Sequence, residues 1–155
     1  MTFAKLMQRF KGGAADEGGD RTRDPLRLAT AAVLLETGYA DGTLTPDEST
    51  DLVTYLKRAF ALSDEDASDL VNAAEEIRNR TIDHFAITNY IRKSATLEER
   101  VEIVRTMWRI VYSDGKLTDY ENYLVRKLAD LLGLEHHVMI EAKVAVLREL
   151  GLAAR

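Results

Sequence analysis

Apolar residues recur along this chain at helical spacing. Between residues 25 and 40 they include Leu26, Ala29, Ala32, Val33 and Leu35, largely three and four apart, as in a helix. Further stretches repeat the pattern, and none shows a sustained period-two alternation between turn dipeptides. Start signals divide the chain. Pro25 follows Asp24 and Pro46 follows Thr45, each proline falling at a first helical position, where its missing N–H would have no partner. Thr96-Leu97-Glu98-Glu99 and Thr118-Asp119-Tyr120-Glu121 read as capping boxes, and Ser63-Asp64-Glu65-Asp66 as a variant of one. In each, the hydroxyl accepts a first-turn amide and the acid three residues on reaches back. The predicted helices cover about 25–40, 46–60, 63–79, 82–94, 96–112, 118–133 and 135–149. Short connections between seven helices predict an all-α, seven-helix bundle.

One stretch occurs twice. YADGTLTPDE at 39–48 returns as YSDGKLTDYE at 112–121, identical at six of ten positions. The likeness continues into the following helix. Leu52/Leu124, Val53/Val125, Leu56/Leu128, Phe60/Leu132 and Leu62/Leu134 keep their apolar character after a one-residue slip. The repeating unit is helix, acidic loop, helix, helix, over about 25–78 and 96–149. The predicted fold is two such units about a pseudo-twofold axis, with the fourth helix as connector.

Residues 1–24 stand apart from the helical domain at 25–155. GGAADEGGD at 12–20 is a flexible polar linker by composition. Before it, Phe3, Leu6, Met7 and Phe10 form one apolar stripe, with Lys5, Arg9 and Lys11 elsewhere. This short amphipathic arm has two readings. It folds back on the domain, or it contacts a partner or membrane surface.

Composition narrows the function classes. The 155 residues are 46% apolar and 30% charged, ordinary for a globular domain. A net charge of −5 and a pI near 5.3 argue against a nucleic-acid partner, which selects for basic surfaces. There is no cysteine, so disulfides and thiolate chemistry are excluded. No apolar run approaches the roughly 18 residues that span a bilayer, and the N-terminus lacks the pattern of a signal peptide. The chain reads as cytoplasmic.

The acidic loops carry the candidate chemistry. Glu48 and Glu121 each close a T-x-x-E capping box, and Gly42 and Gly115 sit just past helix ends, where positive φ is common. Asp41 and Asp114 are placed against the negative end of a helix dipole, at a cost of up to about 1 kcal/mol. An aspartate there can organise the turn by accepting the amide two residues on. It can also join the glutamate seven residues later and the loop carbonyls in a hard oxygen site for Ca²⁺, Mg²⁺ or Mn²⁺. The candidate metal ligands are therefore Asp41, Glu48, Asp114 and Glu121. The loop is not an EF-hand, because its glycine stands at position 2 and Thr43 or Lys116 at position 3. Lys116 counts against the second site.

With two copies of Y-[AS]-D-G-x-L-T-x-x-E on paired helices, the chain resembles the TerB-like family of bacterial tellurite-resistance proteins. EERVEIVRTMWRIVYSDGKLTDYENYLVRKLADLLGL at 98–134 carries the strongest likeness, nearer to stand-alone TerB-like proteins than to the operon-encoded TerB. The resemblance covers about 25–148. It implies a cytoplasmic, all-helical fold of pseudo-twofold repeats, an association with tellurite or general chemical stress, and divalent-metal binding through the loop acids.

The remaining groups offer little chemistry. His136 and His137 are adjacent, about 100° apart on a helix, and read as surface residues. His84 reads as a core-edge histidine, Met107 and Trp108 as core. The expectation is a non-enzymatic module that binds a protein partner, with the acidic loops acting as helix joints or, alternatively, as sites for a divalent cation. Two alternatives are a membrane-peripheral adaptor tethered by residues 1–11 and a metal-dependent enzyme using the loop carboxylates. The enzyme would lack a histidine base or other reactive group beside those loops.

Overall fold

The computed structural model describes residues 25–80, 84–113 and 115–152, apart from the side chain of His84. The arm, the cap at Asp24 and the loop acid Asp114 lie outside them. The described residues form α1 (Pro25–Gly38), α2 (Pro46–Phe60), α3 (Asp64–Arg80), α4 (His84–Ser94), α5 (Leu97–Val111), α6 (Asp119–Leu131) and α7 (His136–Glu149), with no strand among them. The all-α architecture is as predicted.

Helix α1 is the centre of the bundle. Its run from Leu28 to Leu35 is buried without a break, because TAAVLL offers no polar face and a helix apolar all round must be covered on all sides. Helices α2, α3, α4 and α5 pack around it. Two of its threonines are buried, and their hydroxyls are satisfied by backbone four residues back: Thr30 donates to Leu26 at 2.8 Å and Thr37 to Val33 at 3.0 Å. Helices α2 and α6 show the opposite pattern, a narrow apolar stripe on an otherwise polar surface. Leu52 and Leu56 on α2, and Leu124 and Leu128 on α6, are buried as matched pairs. Each such side chain contributes roughly 1.5–3 kcal/mol relative to exposure. Trp108 and Met107 are fully buried in α5, as their positions predict.

Helix ends fall within two residues of the sequence reading. The first helix stops at Gly38 rather than at residue 40. Ala40 turns back to bond the Thr37 carbonyl at 3.2 Å, a tightened last turn. Three helices end alike further on, α7 among them, where the Leu152 amide bonds the Leu147 carbonyl at 2.8 Å after Gly151 at φ +74°. The Leu62 amide bonds the Lys57 carbonyl at 3.0 Å, and the Leu134 amide bonds that of Ala129 at 3.1 Å, the six-to-one bond of a Schellman cap. The residue before each is left-handed: Gly133 at φ +83° and, without a glycine, Ala61 at φ +53°.

Helices α1 and α5, which lead into the two acidic loops, pack on each other, and α2 crosses onto α5. Gly38 and Ile110, at the C-terminal ends of α1 and α5, are neighbours, and Asp47 and Thr50 line one surface pocket with Ser113 and Gly115, so the two loops lie in one region.

Candidate functional site: two capped acidic loops

Each loop leaves a helix through a turn and enters the next through a reciprocal cap. Gly42 has φ +101° and Gly115 φ +81°, so both glycines turn the chain in a conformation costly for any residue with a Cβ. In the first loop the Glu48 amide donates to Thr45 Oγ1 at 3.2 Å, and the Thr45 amide donates to Glu48 Oε1 at 2.8 Å. In the second the matching distances are 3.1 Å for Glu121 to Thr118 and 2.9 Å for the return bond. Both boxes are as the sequence predicts.

Their burial is not. Glu48 is 4% exposed and Glu121 6%. Capping alone does not require this, because Thr96 and Glu99 make the same box, with distances of 2.8 and 3.1 Å, and Glu99 stays exposed. Loss of hydration pushes the Glu48 carboxyl above the usual range, opposed by its bonds to Thr45 and reinforced by the negative charges of Asp41 and Glu121. Glu48 therefore senses a carboxylate from its own loop and one from the other.

Asp41 is exposed, and its Oδ1 accepts the Thr43 amide at 3.2 Å. This is the turn-organising bond expected of an aspartate two residues before a free amide. The first loop is anchored at its entry. Tyr39 donates its hydroxyl to Glu75 Oε2 at 2.9 Å, the Arg78 guanidinium lies 4.3 Å from the Tyr39 ring centroid, and Arg78 bonds Glu36 at 2.9 Å. Gly38 completes the seat, since a Cβ there would stand 2.4 Å from Leu44 Cδ1. The second loop begins differently, with Tyr112 tilted against buried Trp108 at 6.2 Å.

Among the described residues, no three His, Cys, Asp or Glu side chains are grouped as a metal site. One oxygen of each glutamate is engaged by its cap, leaving the second oxygen and the exposed Asp41 as hard donors. His136 and His137 are exposed. None of the helices among the described residues is long and apolar enough to cross a membrane.

A family model described as Tellurite resistance protein TerB matches residues 27–144, most of the helical domain. The chain belongs to the TerB family. Tellurite resistance is thus its family-level association. No curated protein and no solved structure matches the chain. The matched region of this TerB-family chain takes in both acidic loops, the whole of α2 to α6 and most of α1 and α7, and excludes the N-terminal arm.

Sequence reasoning missed three features around the loops. They are the burial of the two glutamates, the clamp from α3 onto Tyr39, and the close seat of Leu44 against Gly38. The first has no sequence signature, since Glu99 stands in the same motif. The clamp joins residues 36 and 42 positions apart, a distance over which periodicity is silent.

Proposed function

We propose that this TerB-family chain is a non-catalytic cytoplasmic module of chemical-stress resistance, tellurite included, that binds a divalent cation at its acidic loops and a protein partner beside them. The observation that carries this reading is the burial of two capping glutamates in matching loops, where the same cap elsewhere in the chain leaves its glutamate in water. Placing ionised acids together under cover is unfavourable, and a cation offsets that cost as protonation does. The donors are hard oxygens, suited to Ca²⁺, Mg²⁺ or Mn²⁺. Magnesium in particular keeps much of its water and takes only one or two carboxylates. Asp41, which is exposed, and Asp114 would supply the loop carboxylates, and Glu48 and Glu121 the oxygens their caps leave over. Next to the second loop, Tyr120 and Tyr123 are more than half exposed with ring centroids 6.3 Å apart, the kind of aromatic surface that anchors protein partners.

Thermal melts test the cation. An ion at ~100 times its dissociation constant adds about 2.7 kcal/mol to stability. Wild type is expected to melt higher in millimolar Ca²⁺, Mg²⁺ or Mn²⁺ than in EDTA, and Asp41→Asn and Asp114→Asn to lose that gain. Wild-type melts that do not respond to any of the three ions would refute cation binding.

A further inference from the structure

A groove of about 570 Å³ opens between α1, α2 and α5, away from the acidic loops. Leu26, Tyr55, Phe60 and Ile103 give it apolar walls. Phe60 is instructive. Its counterpart in the second repeat, Leu132, is fully buried, whereas Phe60 is only partly covered, with the Arg27 guanidinium 5.4 Å from its ring centroid. The first repeat thus leaves apolar surface open where the second closes it.

The groove's charge is uneven. Glu98, Glu99 and Glu102 line it from the start of α5, against Arg58 and Arg109. Arg109 is already held by both oxygens of Glu149, at 2.6 and 3.1 Å. The acids dominate at the buried Tyr55 hydroxyl. Its pKa is raised first by burial and then by Glu102 and Glu99, with Arg58 and Arg109 opposing more weakly.

We propose that this groove is the seat of the chain's own N-terminal segment, with Phe3, Leu6, Met7 and Phe10 against its apolar walls and Lys5, Arg9 and Lys11 toward the three glutamates. Three observations fit this occupant. Its apolar stripe spans eight positions, Phe3 to Phe10, about 10 Å of helix. Residues 1–11 carry three cationic side chains and no acidic one, complementary to the rim. The connection is also short. Fourteen residues, 11–24, join the stripe to Pro25, and Leu26 is itself part of the groove wall. A flexible linker of that length has a root-mean-square span of about 20 Å, enough to reach the groove and hold the segment at roughly millimolar effective concentration. A helix this short is marginal in water by itself and gains its order from such a surface.

The absence of native cysteine allows a direct test on the full chain. Ala4→Cys is paired with Ala59→Cys, an exposed groove position, or with Lys127→Cys on α6, outside the groove. Both pairs are oxidised under the same mild conditions. Disulfide formation is expected to be at least about ten-fold faster with position 59. Phe3→Ser with Phe10→Ser should remove the preference, and Glu98→Lys should reduce it. Equal rates at the two positions would overturn the proposal. So would a segment that shows no preference for position 59 yet carries the chain onto anionic phospholipid vesicles in co-sedimentation, since the stripe would then serve a membrane.

Discussion

Ala61 and Gly133 occupy the same place in the two repeats, and exchanging their residue types separates backbone strain from packing. Both are left-handed and both precede the amide that closes a Schellman cap. An L-residue with a Cβ is disfavoured there by about 1–2 kcal/mol. Glycine removes that cost but gives back roughly 0.5–1 kcal/mol of chain entropy. Ala61→Gly is therefore expected to stabilise by about 0.5–1 kcal/mol, or about 1–4 °C at 2–4 °C per kcal/mol for a chain of this size. Gly133→Ala carries the same backbone term with the opposite sign and adds a collision. Its Cβ would lie 2.9 Å from Arg92 Cδ and 3.0 Å from Arg100 Nη1. Arg92 is exposed and can move aside. Arg100 donates to the Leu132 carbonyl at 2.8 Å, so displacing it weakens a charge-assisted bond worth about 1.5–3 kcal/mol. The expected loss is about 2–3 kcal/mol, or about 4–12 °C. Far-UV circular dichroism during thermal unfolding measures both. A lower melting temperature for Ala61→Gly would refute the strain argument, and near-neutral Gly133→Ala would refute the role given to Arg100.

Two further predictions concern the loops. A Cβ on Gly115 meets no atom within 4 Å, so Gly115→Val is expected to cost stability through φ alone, about 1–3 kcal/mol, and to melt below Lys116→Val; equal melting temperatures would refute the left-handed assignment. Glu48→Gln keeps the oxygen that accepts the Thr45 amide and removes a charge whose folded pKa is raised, mainly by burial. Ionisation of that group opposes folding above its folded pKa and has no effect below its unfolded value of about 4.5, so in EDTA the variant should melt above wild type at neutral pH and converge with it near pH 4. A gap that widens toward acid would contradict the sign.

Much of this architecture is legible in the sequence because its signals are local. Thr45 and Glu48, or Thr118 and Glu121, are three residues apart and define a helix start wherever they occur. Pro46 and Gly133 mark a beginning and an end for equally local reasons. Leu52, Leu56, Leu124 and Leu128 announce buried stripes by spacing alone. What the sequence does not carry is anything set by a distant neighbour. Glu48 and Glu99 stand in the same motif, yet only the first is buried. Phe60 aligns with Leu132 but faces a groove, because α1 and α5 leave it open. Ala61 is left-handed without the glycine that signals such a residue. The repeat does align it with Gly133, and that pairing is the one clue that could have found it.

The claim that a divalent ion sits at the acidic loops is tested most directly by diffraction from crystals soaked in millimolar Mn²⁺, with data collected for its anomalous signal. A bound ion gives an anomalous peak at coordination distance, about 2–2.5 Å, from a carboxylate oxygen of Asp41 or Asp114, absent from crystals of the Asp41→Asn, Asp114→Asn double variant. Loops without a peak, or a peak that survives in the double variant, would contradict the claim and leave the two buried glutamates as helix caps alone.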